Sequence, residues 1–348
     1  MVWDAQAFRL AISTFCLKEE PVLKRIISVL LCALLVPAFC ACSPSIPVPD
    51  DPTLILRDGL MVCIAENSYD CLIPFYSGYF NDVEFAIFEE KELQGEYADR
   101  EGTQKTVTIF GREHTGLYYG NAGSSLGFKK DVMTQERMPP YLTPEGFVFY
   151  CSEETGRVVH FYVGSEYEEL LRAEHPDAEE LTMQQISANC IEAIEAEYGS
   201  DGWIEVNREL PKNTRFKYKF TFARQQDGVN VEIIRLYTNI YGEMMQGDLL
   251  PGRPAELPDS VPIPDWPEET YKELILKKLT ALYEEEKAER QYAYEAVFTD
   301  VQIHPNGYTY YYLTEYESHA IEVSFDCSYT CDGASYTEPC RMLILYDA

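Results

Sequence analysis

"FKYKFTFARQQDGVNVEIIRLY", residues 216–237, is the stretch from which the fold can be read. Phe216, Tyr218, Phe220 and Phe222 alternate with Lys217, Lys219 and Thr221, the period of a strand that buries one of its faces. Asp227-Gly228 interrupts the run, and apolar residues return at once in "VNVEIIRLY". An Asp-Gly step accepts positive φ, the geometry that joins two antiparallel strands. The stretch is predicted as a hairpin with a wall of aromatic rings on one side.

Upstream lies "LTMQQISANCIEAIEAEYG", residues 181–199. Thr182 followed by Gln185 is a capping box, and Gly199 stops the helix. Met183, Ile186, Cys190, Ile194 and Tyr198 recur at helical spacing. A helix laid on the aromatic wall buries both surfaces. "WIEVNREL" between them reads as another strand. Downstream, "PGRPAELPDSVPIPDWP" holds six prolines in the seventeen positions 251–267 and reads as a stiff connector.

After the connector the order recurs. "EETYKELILKKLTALYEEEKAER" is helical, with Tyr271, Ile275, Leu279 and Leu282 on one stripe. "AYEAVFTDVQIHP", "GYTYYYLTEY", "HAIEVSFDCSY" and "PCRMLILYD" read as four strands. The expectation is an α+β protein of antiparallel sheets, each packed by a helix, in helix-then-hairpin units at 179–250 and 268–348. Residues 53–178 read as a β-rich N-terminal domain, with strands in "LILRDGLMVCI", "FAIFEEKEL", "KTVTIFGREHTGLYYG" and "GFVFYC" and a short helix in "SEYEELLRAEHPD".

The order of helix, antiparallel strands and a short turn before a final strand resembles the PepSY-type domains of secreted bacterial proteins. The residues that carry it are the helix at 181–199, the hairpin at 216–237 and "TNIYGEM" with Gly242, echoed by the Thr155-Gly156 turn in "GFVFYCSEETGRVVHFYVG". The family's Asp-x-x-Thr-Gly ending reads Asn239-Ile240-Tyr241-Gly242 here. The resemblance implies a PepSY- or cystatin-like unit that binds or restrains a secreted peptidase.

The other end of the chain indicates place. "LKRIISVLLCALLVPAFCACSPS", residues 23–45, sets Lys24 and Arg25 before an apolar run of fourteen residues, Ile26–Phe39. A helix of that length rises about 21 Å, short of a hydrocarbon core of about 30 Å. Basic, apolar and small residues in that order make a secretory signal. Phe39-Cys40-Ala41-Cys42 resembles the lipobox of bacterial lipoproteins, which implies that Cys42 is acylated and becomes the N-terminus. Residues 22–41 are then a lipoprotein signal peptide, and 42–52, with "SPSIPVPDDP", a proline-rich tether. Residues 1–21, with Asp4, Glu19 and Glu20 where a signal is basic, read as an extension from a start placed too early. Acyl chains gain about 0.8 kcal/mol per buried methylene, so the resemblance implies a palmitate-type membrane anchor at the extracytoplasmic face.

Without residues 1–41 the chain has 307 residues, 55 acidic against 24 basic, a formal charge of −31. Such a surface repels phosphate backbones, which argues against nucleic-acid binding. Beyond Cys42 stand Cys63, Cys71, Cys151, Cys190, Cys327, Cys331 and Cys340, an odd number. In "FDCSYTCDGASYTEPCRML" a two-residue loop at Gly333-Ala334 would set Cys327 opposite Cys340, a possible disulfide. Cys331 with Cys340 is the competing pair. A zinc site needs a fourth ligand that no Cys-x-x-Cys or paired histidine supplies, so neither a metal nor a cofactor is predicted.

Gly123-Ser124-Ser125-Leu126-Gly127 fits the G-x-S-x-G string of a nucleophile elbow. That motif needs a strand entering and a helix leaving, whereas "FKKDVMTQERMPP" follows it, so a glycine-rich loop is the plainer reading. A secreted serine hydrolase using Ser125 is the alternative. His114, His160, His175, His304 and His319 are scattered and read as surface or partly buried polar groups, and the acidic runs as solvated faces. No catalytic residue is predicted. The expectation is a lipid-anchored, extracytoplasmic binding or interaction lipoprotein with a protein or peptide partner at the cell surface; a passive structural component of the envelope is a third reading.

Overall fold

The computed structural model describes residues 46–49, 54–56, 61–65, 68–71, 83–85, 102–118, 128–131, 133–174, 176, 178–199, 202–211, 215–251, 261–290 and 295–347. Its N-terminal strands are β1 (Leu54–Leu56), β2 (Met61–Ala65), β3 (Ser68–Cys71), β4 (Val83–Phe85), β5 (Gln104–Ile109) and β6 (Arg112–Tyr118). Then come β7 (Lys129–Asp131), β8 (Arg137–Met138), β9 (Pro140–Leu142), β10 (Phe147–Cys151) and β11 (Val158–Val163). Helices α1 (Ser165–Glu174) and α2 (Met183–Tyr198) precede β12 (Trp203–Glu209), β13 (Tyr218–Gln226), β14 (Val229–Thr238) and β15 (Met244–Leu249). Helix α3 (Glu268–Arg290) leads into β16 (Ala296–Leu313), β17 (Ser318–Cys331) and β18 (Ala334–Tyr346).

Thirteen of these strands form one mixed sheet. Nine run antiparallel in the order β5-β6-β9-β10-β11-β15-β14-β13-β12, and four more in the order β16-β17-β18-β1. The two parts meet at one parallel bridge, Asn230 with Thr309. Strands β2-β3 and β4-β7-β8 make two small separate sheets.

This corrects the expected α+β succession of helix-then-hairpin units. The protein is mostly β, and its three described helices cover one large sheet rather than a sheet each. Two pairings carry the correction. β15 pairs with β11 as well as β14, so strands from both sides of residue 178 share one ladder. β1, from the N-terminal part, closes the edge of the last meander on β18. A third reason lies in "QIHPNGYTYYY", which bulges where the sequence reading ended one strand and began another. β16 is one strand of 18 residues with register shifts between Phe298 and Asp300 and between Ile303 and Tyr308. Asn306 takes φ +56°, and a Cβ at Gly307 would stand 2.7 Å from the carbonyl oxygens of His304 and Ser324. Glycine permits that approach, and the extra residues are absorbed without reversing the chain.

The local expectation for α2 is met: Thr182 N–H donates to Gln185 Oε1 at 2.9 Å and Gln185 N–H to Thr182 Oγ1 at 3.3 Å. Tyr167 and Leu171 of α1 and Ile186, Cys190 and Ile194 of α2 pack on Phe147, Phe149, Phe161, Phe220, Phe222 and Ile234. Tyr271, Ile275, Leu279 and Tyr283 of α3 pack on Ile321, Val323, Phe325, Met342 and Ile344. The end of the proline-rich connector is pinned to this second core. Trp266 Nε1 donates to the Ile46 carbonyl at 2.8 Å, and Tyr346 Oη to that of Pro262 at 2.6 Å.

Candidate ligand-binding groove

The alternate residues of the same strands build the other face. Register sets Tyr150, His160, Asp248, Arg235, Thr221 and Asn207 in one row across β10, β11, β15, β14, β13 and β12. The next row runs Val148, Tyr162, Gln246, Tyr237, Lys219 and Glu209. Directly opposed side chains stand about 5 Å apart, so polar groups follow one another along each row, with Val148 the apolar end of the second.

One end of this face is shut. His160 Nδ1 lies 2.6 Å from Asp248 Oδ1, each side chain 4% exposed. Met138, Val148, Tyr150 and Val159 pack beside them. Lys129 is buried there too, and desolvation lowers its pKa against the pull of Asp248. A further cluster ties the face to the last meander: Met133 and Ile233 pack with Tyr311, Leu313, Ala320, Leu343 and Leu345.

The other end opens into a cleft of about 660 Å³. Glu209, Lys219 and Arg235 line one wall and Glu322 and Arg341 the other, with Asn230 and Thr309 at the junction. Asn230 Nδ2 donates to the Asn306 carbonyl at 2.9 Å and to Thr309 Oγ1 at 3.3 Å, which clips the two parts together. Lys219 Nζ is 3.2 Å from Glu209 Oε1, and Arg341 Nη1 is 3.7 Å from Glu322 Oε1. Burial lowers the Lys219 pKa most, Glu209 opposes it, and the charges of Arg235 and Arg341 push it down further. Arg341 belongs to β18, so its field on Lys219 acts across the cleft. Three cations against two carboxylates, with guanidinium forks on both walls, form a place suited to carboxylate or other planar anions.

The residues singled out from sequence fall elsewhere. Cys42 and Ser125 lie outside the described residues. The turn between β17 and β18 is Asp332-Gly333, with φ +48° and +83°, one residue before the expected loop. Cys327 therefore opposes Glu338, and Cys340 opposes Phe325. Two positions offset in this way stand roughly 7 Å apart, beyond the Cβ spacing of a bridge. Both thiols are buried and outside any disulfide, as are Cys151, Cys190 and Cys331. Burial pushes the Cys327 thiol up to about 12. His304 pairs with Asp326 at 2.9 Å near the surface, but His114 and His160 are 6% and 3% exposed, deeper than expected.

Sequence reading does not single out Lys219, Arg235 and Arg341, although the first two carry a signal. Lys217 and Lys219 alternate with aromatic residues in "FKYKFTF", and Arg235 is a lone cation inside "VEIIRLY". Alternation assigns Lys219 to the face away from the helix, and that face reads as solvent-exposed unless a second surface is known to oppose it. Among the described residues no helix is long and apolar enough to cross a membrane. Compared with known proteins, the chain matches no family model, no curated protein and no solved structure.

Proposed function

We propose that this protein is a lipid-anchored, extracytoplasmic binding protein whose groove holds an acidic segment of a protein or peptide at the cell surface. The observation that carries the reading is the meeting of Lys219, Arg235 and Arg341 on facing walls of one cleft, in a chain of net charge −30. A surface of that sign disfavours anions nearly everywhere, so a local reversal inside a cleft selects where an anion can settle. Placement at the membrane rests on the basic-apolar leader and on Cys42. A secreted peptidase, the partner implied by the PepSY-type resemblance, is one occupant that the same experiment accommodates.

The test is fluorescence anisotropy with a fluorescein-labelled hexaglutamate peptide and its hexaglutamine counterpart, using the full chain. The acidic peptide binds saturably and weakens with salt, and the neutral one does not bind. Lys219→Ala and Arg341→Ala each lower affinity at least tenfold. Equal binding of both peptides, or variants that bind like the parent chain, overturns the groove assignment. Mass spectrometry of the natural product tests the anchor separately: an unmodified Cys42 behind an intact leader removes it.

A further inference from the structure

On the opposite face, between α1 and α2, lies a second cavity of about 340 Å³ that the groove does not touch. Phe110, Phe147, Phe161 and Tyr167 form most of its aromatic wall. Phe110 meets Phe161 edge-on at 6.2 Å, and Phe147 stacks on Phe161 at 5.5 Å, so these rings brace one another. α1 supplies Tyr167 and Leu171 to the lining and α2 supplies Ala193. Its size lies within the usual range for a small-molecule pocket.

One polar side chain breaks the apolar wall. His114 is 6% exposed and lines the cavity. Its ring stacks on Phe147 at 3.9 Å and tilts against Tyr167 at 5.9 Å, and among the described residues it makes no hydrogen bond. The imidazole lines the cavity, so a group bound there can take its hydrogen bond. Desolvation, with Arg112 adding to it, lowers the His114 pKa to about 4, so at neutral pH the ring offers one N–H and one acceptor.

Charge at the mouth gives the sign of the ligand. Arg112 lines the cavity and holds Glu174 only at 3.5 Å, both side chains about half exposed. Exposed pairs of this kind contribute little, so the guanidinium can exchange partners at small cost. An adjoining hollow that shares Tyr241 and Glu243 with the cavity is lined by Arg172, Arg215 and Lys217. Glu168, which pairs with both Arg172 and Arg215, and Glu243 line that hollow too, so the exchangeable cation at the cavity itself is Arg112.

We infer that this cavity binds a small aromatic monocarboxylate, its ring among Phe110, Phe147 and Phe161 and its carboxylate held by Arg112 and the His114 N–H. The site is independent of the groove.

Calorimetric titration of the full chain with 3-phenylpropionate, 3-phenylpropanol and 3-phenylpropylamine tests the assignment. The acid binds at one site, the alcohol at least tenfold more weakly, and the amine not at all. His114→Phe keeps the stack on Phe147 and removes the donor, and acid affinity falls at least tenfold. Arg112→Gln alters an exposed residue, so folding is not at stake, and it removes the preference of acid over alcohol. Ala193→Leu, on the α2 wall, fills the cavity and abolishes binding, whereas Lys219→Ala in the groove changes nothing. Far-UV circular dichroism accompanies each variant. No heat of binding from the acid, amine binding equal to acid binding, or an affinity untouched by Arg112→Gln and Ala193→Leu overturns the inference.

Discussion

The two faces of the large sheet are made from neighbouring residues and behave as different materials. Phe220 and Phe222 are fully buried beneath α2, while Lys219 and Thr221, one position away, line the groove. Ile234 and Leu236 are equally buried, and Arg235 between them faces Asp248 and Thr221. A strand's period of two assigns core and site in one stroke, so the helices on one face leave the other to polar chemistry. The difference lies in what opposes each face: helices with complementary apolar stripes on one side, the last meander and the segment around Met133 on the other.

Substitutions at adjacent positions break this contrast most directly. Phe220→Ala opens a cavity under α2 and is expected to cost about 3–5 kcal/mol in urea denaturation. Thr221→Ala, next in sequence on the groove face, costs under about 1 kcal/mol. Equal losses would mean that the polar face is packed as tightly as the apolar one. Asp248→Ala comes second, at about 3 kcal/mol, because it strips the partner from buried His160 and the carboxylate opposite Arg235. It also separates the shut end of the polar face from the open end: stability falls, while hexaglutamate binding to Lys219 and Arg341 persists.

A pH titration sharpens the contrast from the helix side. The folded-state pKa of His114, about 4, lies below its ordinary value of 6.5. Between those limits the unfolded chain binds more protons, so this group lowers stability as pH falls from 6.5 to 4, by about 2–3 kcal/mol. Above pH 6.5 the contribution is constant. Comparing His114→Phe with the parent chain isolates it, and the variant's stability curve is flatter by that amount across the window. Parallel curves would mean that the imidazole is solvated and the cavity open to water.

Part of this architecture was legible in the residues. The hairpin at Asp227-Gly228, the capping box at Thr182 and the aromatic alternation all depend on neighbours within a few residues, and the structure has each of them. What escaped is long-range. No local pattern states that β15 will take β11 as a second partner, or that Leu54–Leu56 will pair with Met342–Ile344. Such pairings are chosen by which edges remain open once the meanders form, and edge strands carry the same alternation as central ones. Pro305, Asn306 and Gly307 read as a turn because the residue types that make turns also make bulges. The groove escaped for a related reason: its two walls lie about a hundred residues apart in sequence, and Lys219 alone resembles any solvent-facing lysine. The one-residue shift of the turn at Asp332-Gly333 shows how fine the margin is, since it alone separates an opposed cysteine pair from an offset one.

The smallest expected effect asks whether the two faces are coupled. Thr182 caps α2, and beside it Leu181 N–H donates to the Ile240 carbonyl at 2.9 Å, on the turn between β14 and β15. That turn is braced by Asn239, whose Oδ1 accepts from the N–H groups of Tyr241 and Glu243 at 3.0 and 3.1 Å. A Cβ on Gly242 would meet Leu181 at 3.1 Å, so helix start and turn are fitted together. Thr182→Ala loses the cap and costs about 1 kcal/mol of stability. If the sheet transmits nothing between its faces, hexaglutamate affinity stays constant while the melting temperature falls. A matching fall in affinity would show that the cap positions β14, and with it Arg235, through the turn at Asn239; the two faces would then be one mechanical unit despite their different chemistry.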